Sequence, residues 1–100
     1  MLTEKKRALA AMRYLNHLVQ LSKTNPGMAL PLGFMLAYLT CVDAPQMIEV
    51  TESDAQACLD KLVEKGLVEH VGPAGWSAKT NLQFSAVGPD ADPWSSWVTL

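Results

Sequence analysis

An acidic stretch is the part of this sequence whose residue types best suit binding chemistry. Four carboxylates lie at Glu49, Glu52, Asp54 and Asp60, and no Lys or Arg occurs in the stretch before Lys61. A carboxylate within a few ångströms of a phosphate costs about 1 kcal/mol even in a water-like medium. The stretch therefore suits a basic partner and opposes phosphate contact, unless its charges serve only to complement a helix dipole.

Side chains capable of catalysis are scattered along the chain. His17 and His70 are distant in sequence, and no close spacing links them to Cys41 or Cys58. The six glycines form no phosphate-binding loop. A metal site built from a cysteine and a histidine is a minor alternative. We therefore expect no enzymatic activity, cofactor, metal or small-molecule ligand.

Length and composition indicate one small domain. The chain has 100 residues, of which 49% are hydrophobic and only 18% charged. So sparse a charge suggests that a partner covers part of the surface. The charged N-terminus lacks a signal-peptide pattern, and the apolar run Met28–Val42 is shorter than the ~20 residues of a membrane span. We expect a cytoplasmic protein that does not contact a membrane.

The first 27 residues are basic and should form a long helix. They hold five Lys or Arg and one carboxylate, whereas residues 28–100 hold three Lys and nine carboxylates. Thr3 can cap a helix that runs to about Lys23 and stops at Asn25–Gly27. An apolar stripe at helical spacing would face the core; it consists of Ala8, Ala11, Met12, Leu15, Leu18 and Val19.

Several apolar residues fall outside that core face. Leu9, Tyr14 and Leu21 lie beside the stripe, and Trp94 and Trp97 lie in a short C-terminal tail. These five residues are candidates for the interface of a homodimer, because aromatic residues often anchor interfaces. The alternatives are that Leu9 and Tyr14 are half-exposed and that both indoles fold back over their own domain.

Three further helices and a hairpin are expected after residue 27. A second, apolar helix starts near Pro31, and Asp43–Val50 can hold only a short helix. Thr51 or Ser53 caps the next helix in a capping-box pattern, and Gly66 stops it. The alternating segments Leu67–Val71 and Asn81–Ser85 predict two antiparallel strands of a hairpin with a long tip.

This order of elements predicts a winged helix-turn-helix. The fold class is mainly α with a small β-hairpin and an additional long N-terminal helix. Residues 1–27 would form that helix, a candidate dimerisation arm. Residues 28–88 would form the winged-helix domain and residues 89–100 a Trp-containing tail.

Residues 31–88 resemble the MarR-like and PadR-like transcriptional regulators. The segment "VTESDAQACLDKLVEKGLVEHV", Val50–Val71, is similar to their recognition helix and first wing strand, and "LQFSAVG", Leu82–Gly88, to the end of their wing. The resemblance implies a dimeric DNA-binding regulator. Two departures concern the DNA contact: the helix tip is acidic, and the segment Gly72–Asn81 lacks the wing's acidic-then-arginine motif.

Two functions therefore remain open. As a DNA-binding regulator, the protein would read bases with Ser53 and Gln56 and hold phosphates with Lys61, Lys65 and Lys79. As a protein-interaction module, such as a phage- or plasmid-encoded inhibitor, it would present an acidic face to a basic, nucleic-acid-binding protein. The residues of that face would be Glu49, Glu52, Asp54, Asp60 and Trp76.

Overall fold

The computed structural model describes residues 3–42, 50–85 and 92–99. The helices in these ranges are α1 (Glu4–Thr24), α2 (Leu32–Ala37), which continues as a π-helical turn (Tyr38–Val42), and α3 (Glu52–Glu64). The strands are β1 (Val68–Val71), β2 (Gly75–Ala78), β3 (Leu82–Phe84) and β4 (Trp97–Thr99). The fold is mainly helical with two small antiparallel sheets, which confirms the coarse fold class.

Helix α1 forms much of the core. Thr3 caps it by accepting a hydrogen bond from the Lys6 amide, and Asn25 terminates it, as predicted. Its buried residues are Ala8, Ala10, Ala11, Met12, Tyr14, Leu15 and Leu18. They pack against α3, β2 and the 3₁₀ turn Pro93–Ser95. The packing surface is therefore wider than the predicted stripe, because helices, sheet and tail all meet α1.

Helix α2 is shorter and less enclosed than its apolar sequence predicts. Pro31 is its N-cap residue, with φ −74° and ψ 167°, rather than its first helical residue. Met35 and Leu39 are fully buried, whereas Phe34 is exposed. Thr40 donates its hydroxyl proton to the Leu36 carbonyl across the junction with the π-helical turn.

Helix α3 begins and ends as predicted. Of the two candidate caps, Thr51 and Ser53, Thr51 is the N-cap, and it forms a capping box with Asp54. Leu59 and Leu62 are buried and the helix packs on both α1 and α2. Gly66 follows with φ +74°, a left-handed conformation that glycine adopts at low cost.

The predicted strand pairing is wrong. Strand β1 pairs with Gly75–Ala78 rather than with Asn81–Ser85, in the register Val68 opposite Ala78 and Val71 opposite Gly75. The reason lies in the turn: Gly72 and Gly75 have φ of +48° and +116°, so the chain reverses within three residues. The residues predicted to form the long tip of the hairpin therefore include its second strand, Gly75–Ala78.

Strand β3 pairs instead with the C-terminal tail. Phe84 lies opposite Trp97 in an antiparallel ladder with β4, and the Ser85 amide extends that ladder by donating to the Ser96 carbonyl at 2.7 Å. The strand predicted to pair with β3 was β1, but the C-terminal tail takes that place.

A bridge joins the hairpin to the segment before α2. Leu30 and Trp76 exchange two backbone hydrogen bonds, with N···O distances of 2.9 and 3.0 Å. This bridge occupies the outer edge of β2, so the order across the sheet is β1, β2, Leu30.

Some predictions lie outside the described residues. These are the short helix within Asp43–Val50 apart from Val50 itself, the acidic residue Glu49, and the part of Leu82–Gly88 that follows Ser85. Within the described ranges, no helix combines the length and apolar character that crossing a membrane requires.

Candidate interaction surface on helix α3

The first turn of α3 contains a buried ion pair. Asp54 is fully buried, and its Oδ1 accepts hydrogen bonds from Nε and Nη2 of Arg7, each at 3.0 Å. Its Oδ2 accepts from the Thr51 amide at 3.2 Å and from the Thr51 hydroxyl at 2.9 Å. One carboxylate therefore closes the capping box and fastens α3 to α1.

This geometry corrects the role predicted for Asp54. A side chain with no exposed surface is not available to a partner, and the guanidinium balances its charge. Arg7 is correspondingly engaged inside the domain rather than free for phosphate contact. The ion pair between Arg7 and Asp54 was not predicted from the sequence, although Arg7 lies four residues before Ala11 and therefore beside the buried stripe of α1.

The exposed carboxylates of α3 border an open groove. Its volume is about 550 Å³, and its lining residues are Leu32, Glu52, Ser53, Gln56, Ala57 and Asp60. The Gln56 amide donates to Asp60 Oδ1 at 2.8 Å. Glu52, Ser53 and Asp60 are exposed, and Gln56 is half-buried. The structure thus brings predicted base-reading and predicted acidic residues together at one place.

The predicted phosphate-binding lysines do not form one cationic surface. Lys61 lies 3.9 Å from the Glu64 carboxylate, and Lys79 lies 4.0 Å from that of Glu69. Lys65 is exposed at the C-cap of α3. Exposed pairs at these distances are weak, but they set a carboxylate beside two of the three lysines.

Trp76 lies on the hairpin rather than on the α3 groove. It is half-buried, and its ring stacks on that of His70 directly across the strands, with centroids 4.6 Å apart. It is not among the groove's lining residues. Its packing links the hairpin to the core.

The candidate dimer residues have different environments. Tyr14, Trp94 and Trp97 are buried within the protomer, whereas Leu9 is exposed and Leu21 half-buried. The turn that carries Trp94 packs on α1, and Trp97 makes an edge contact with Phe84 at 5.4 Å. The indoles therefore fold over their own domain, which was the alternative left open.

The described residues contain no group of three or more His, Cys, Asp or Glu side chains placed to hold a metal ion. Cys41 is exposed and Cys58 is buried, and both are free thiols. Neither a protein-family model, nor a curated protein, nor a solved structure matches the chain.

Proposed function

We propose that this protein is a winged-helix interaction module whose α3 face binds a basic surface of another protein. One observation carries the proposal: Glu52 and Asp60 of α3 are exposed, and no Lys or Arg among the described residues forms an ion pair with either. Glu52 and Asp60 border the groove, and Glu64 lies on the next turn beside Lys61. We define the acidic face as Glu52, Asp60 and Glu64.

The winged-helix assignment is supported by the order and pairing of the elements. A helix, a bridging residue, two helices and a hairpin follow one another, and Leu30 pairs with the second hairpin strand at Trp76. In such a fold α3 is the recognition helix and β1–β2 the wing. The proposal takes Gly75–Ala78 as the second wing strand, in place of the strand predicted from the sequence.

The charge distribution favours a protein over a nucleic acid as the partner. Nucleic-acid affinity rises with the number of phosphates that Lys and Arg neutralise. Arg7 is committed to Asp54, and two of the three lysines after residue 27 each lie beside a carboxylate. A basic protein surface gains attraction and a faster encounter from the same charges that would repel phosphates.

DNA binding is the second candidate, because the two residues predicted to read bases line the groove on α3, which would be the recognition helix of a winged-helix regulator. Ser53 is exposed and Gln56 half-buried in the α3 groove. A Gln amide can pair with adenine in the major groove, but here it donates to Asp60. In a DNA-binding protein, Asp60 would have to release Gln56 and move away from the backbone phosphates.

A charge-reversal experiment separates the two candidates. The variant Glu52→Lys with Asp60→Lys changes two exposed groove residues and leaves the buried Asp54 intact. We measure the fluorescence anisotropy of a labelled mixed-sequence DNA duplex at low salt, with wild type and with the variant. We expect no binding by wild type and salt-sensitive binding by the variant. Specific DNA binding by wild type would favour the regulator.

A further inference from the structure

A small cavity lies between the C-terminal end of α1 and the chain that connects β2 to β3. Its volume is about 240 Å³, and it shares no lining residue with the α3 groove. Val19 and Leu82 line it and also pack against the core. Ala78, the buried last residue of β2, adds a third apolar side chain. Water gains little between such walls, so an apolar group that displaces it is stabilised.

Two lysines line the same cavity. Lys23 is exposed on the last turn of α1, and Lys79 is half-buried directly after β2. A lysine can cover apolar surface with its methylenes while its ammonium group faces water. Among the lining residues that the structure describes there is no Asp or Glu. Glu69, 4.0 Å from Lys79, lies outside the cavity, and so weak a pair leaves Lys79 able to bind another anion.

The end of α1 opposes a bound anion only weakly, although a helix C-terminus carries partial negative charge. The Leu21 carbonyl accepts hydrogen bonds from the Asn25 amide at 3.0 Å and from the side chains of Thr24 and Asn25. Lys23 adds a cation on the same turn. The cavity therefore combines apolar walls with a net positive charge.

We propose that this cavity binds a small aliphatic carboxylate, with its alkyl chain against the apolar walls and its carboxylate paired with Lys23 and Lys79. A water molecule occupies roughly 30 Å³ of the liquid, so the cavity has room for roughly eight groups of that size. Hexanoate is a ligand of about this size. A phosphate is less suitable, because phosphate sites use helix N-termini, whereas this helix end is a C-terminus.

This site was not predicted from the sequence, from which we expected no small-molecule ligand. Its walls come from the end of α1 and from the segment around the end of β2, and no local pattern connects the two. The acidic face on α3 is not part of it. The proposal therefore does not rest on the proposed function, and failure of either leaves the other standing.

An NMR titration of the unaltered, isotope-labelled protein with hexanoate tests the site. We expect saturable shifts of the Val19, Ala78 and Lys79 amides, and a Kd that falls about two- to four-fold for each methylene added between butanoate and hexanoate. Hexylammonium has the same chain and the opposite charge, and it should bind at least ~10-fold more weakly. Absence of saturable shifts with hexanoate, or equal affinity for hexylammonium, overturns the proposal.

Charge-matched variants locate the carboxylate. Lys23→Gln with Lys79→Gln removes the two cations of the cavity, and Lys5→Gln with Lys65→Gln removes two exposed lysines that do not line it. We expect hexanoate binding to weaken at least ~5-fold in the first variant and to change less than about two-fold in the second. Equal affinities of the two folded variants would contradict pairing with Lys23 and Lys79.

A filled cavity tests the apolar part. Ser22 lines the cavity and is half-buried, whereas Thr24 is exposed on the same helical turn and does not line it. Ser22→Leu should abolish the hexanoate shifts, and Thr24→Leu should preserve them. Undiminished binding by Ser22→Leu, with a melting curve like that of wild type, would place the ligand elsewhere. The comparison of hexanoate with hexylammonium stays decisive if a variant unfolds, because it uses the unaltered protein.

Discussion

At the scale of single residues, the carboxylate of Asp54 has two structural roles: it completes the capping box of α3 and pairs with Arg7 of α1. It receives two hydrogen bonds from Arg7 and two from Thr51, so a charge without exposed surface has partners for both oxygens. A buried charge needs such compensation, because the loss of hydration costs several kcal/mol. The pair therefore fixes where α3 starts relative to α1.

Removing one partner should be costly. For Asp54→Ala we expect the free energy of unfolding to fall by roughly 3–5 kcal/mol, toward the lower end since the Arg7 side chain remains 24% exposed. Chemical denaturation measures the change. Glu52→Ala, at an exposed position in the same helical turn, should change stability by less than about 0.5 kcal/mol. Similar losses in both variants would mean that the pair adds no stability beyond helix capping.

The two thiols should differ in reactivity. Burial raises the pKa of Cys58 to about 12, and its Sγ donates to the Arg7 carbonyl at 3.4 Å, whereas Cys41 is exposed. The thiolate is the reactive species. An excess of thiol reagent near neutral pH should modify one cysteine quickly and the second only after denaturant is added. Cys41→Ala should abolish the fast phase; its persistence would place Cys58 at the surface.

The same pKa shift predicts lower stability in alkali. The unfolded thiol ionises near 9.0, but the folded one only near 12. The unfolded state then holds fewer protons, so the free energy of unfolding falls as pH rises between these values. Burial raises the pKa of Tyr14 too, which adds to the fall. Cys58→Ala should reduce the slope; an unchanged slope would assign it to other groups.

At the scale of the elements, local signals were sufficient for α1 and α3. Caps and apolar spacing predicted both helices, because the Thr3 and Thr51 caps bond within their own first turns. Strand pairing was not predictable in this way. The partner of Phe84 is Trp97, thirteen positions along the chain, and no local signal connects them. Likewise the sequence showed that the N-terminal end of α3 is acidic. It did not show that Arg7, forty-seven residues away, neutralises Asp54.

The hairpin depends on the absence of a side chain at Gly75. A Cβ at this position would collide with the backbone of Leu30 and Pro31, and φ is +116°. Gly75→Ala should therefore break the bridge to Leu30 and lower the melting temperature by several degrees.

Gly33 provides the control for that substitution. It lies in α2 with nothing within 4 Å of an added Cβ, so Gly33→Ala should be neutral or stabilising by up to about 1 kcal/mol. Equal destabilisation of the two variants would indicate that the close approach at Gly75 contributes nothing.

At the scale of the whole molecule, the two ends of the chain complete one core. Buried residues of α1 and the indoles of Trp94 and Trp97 belong to the same cluster. Deleting residues 93–100 removes both indoles and the partner of β3, so we expect a lower free energy of unfolding and no change in oligomeric state. Thermal melts and sedimentation measure the two. A change in association with unaltered stability would instead make the tail an intermolecular contact.

Charge also has a pattern at this scale. Arg7 of the basic helix α1 pairs with Asp54 inside the domain, whereas the other carboxylates of α3 lie at the surface. The composition of residues 28–100 indicated that this part of the chain is acidic, but only the structure distinguishes the buried carboxylate from the exposed ones. The proposed partner must therefore meet Glu52, Asp60 and Glu64, not Asp54.

Capture of partners from a cell extract by the immobilised protein tests this central claim most directly. Wild type is compared with Glu52→Lys plus Asp60→Lys, and with Glu4→Lys as a control at an exposed carboxylate of α1. We predict that wild type and the control retain the same basic protein, under nuclease treatment, and that the double variant loses it although its melting curve is unchanged. Undiminished capture by the folded double variant would contradict the assignment of the acidic face as the binding site.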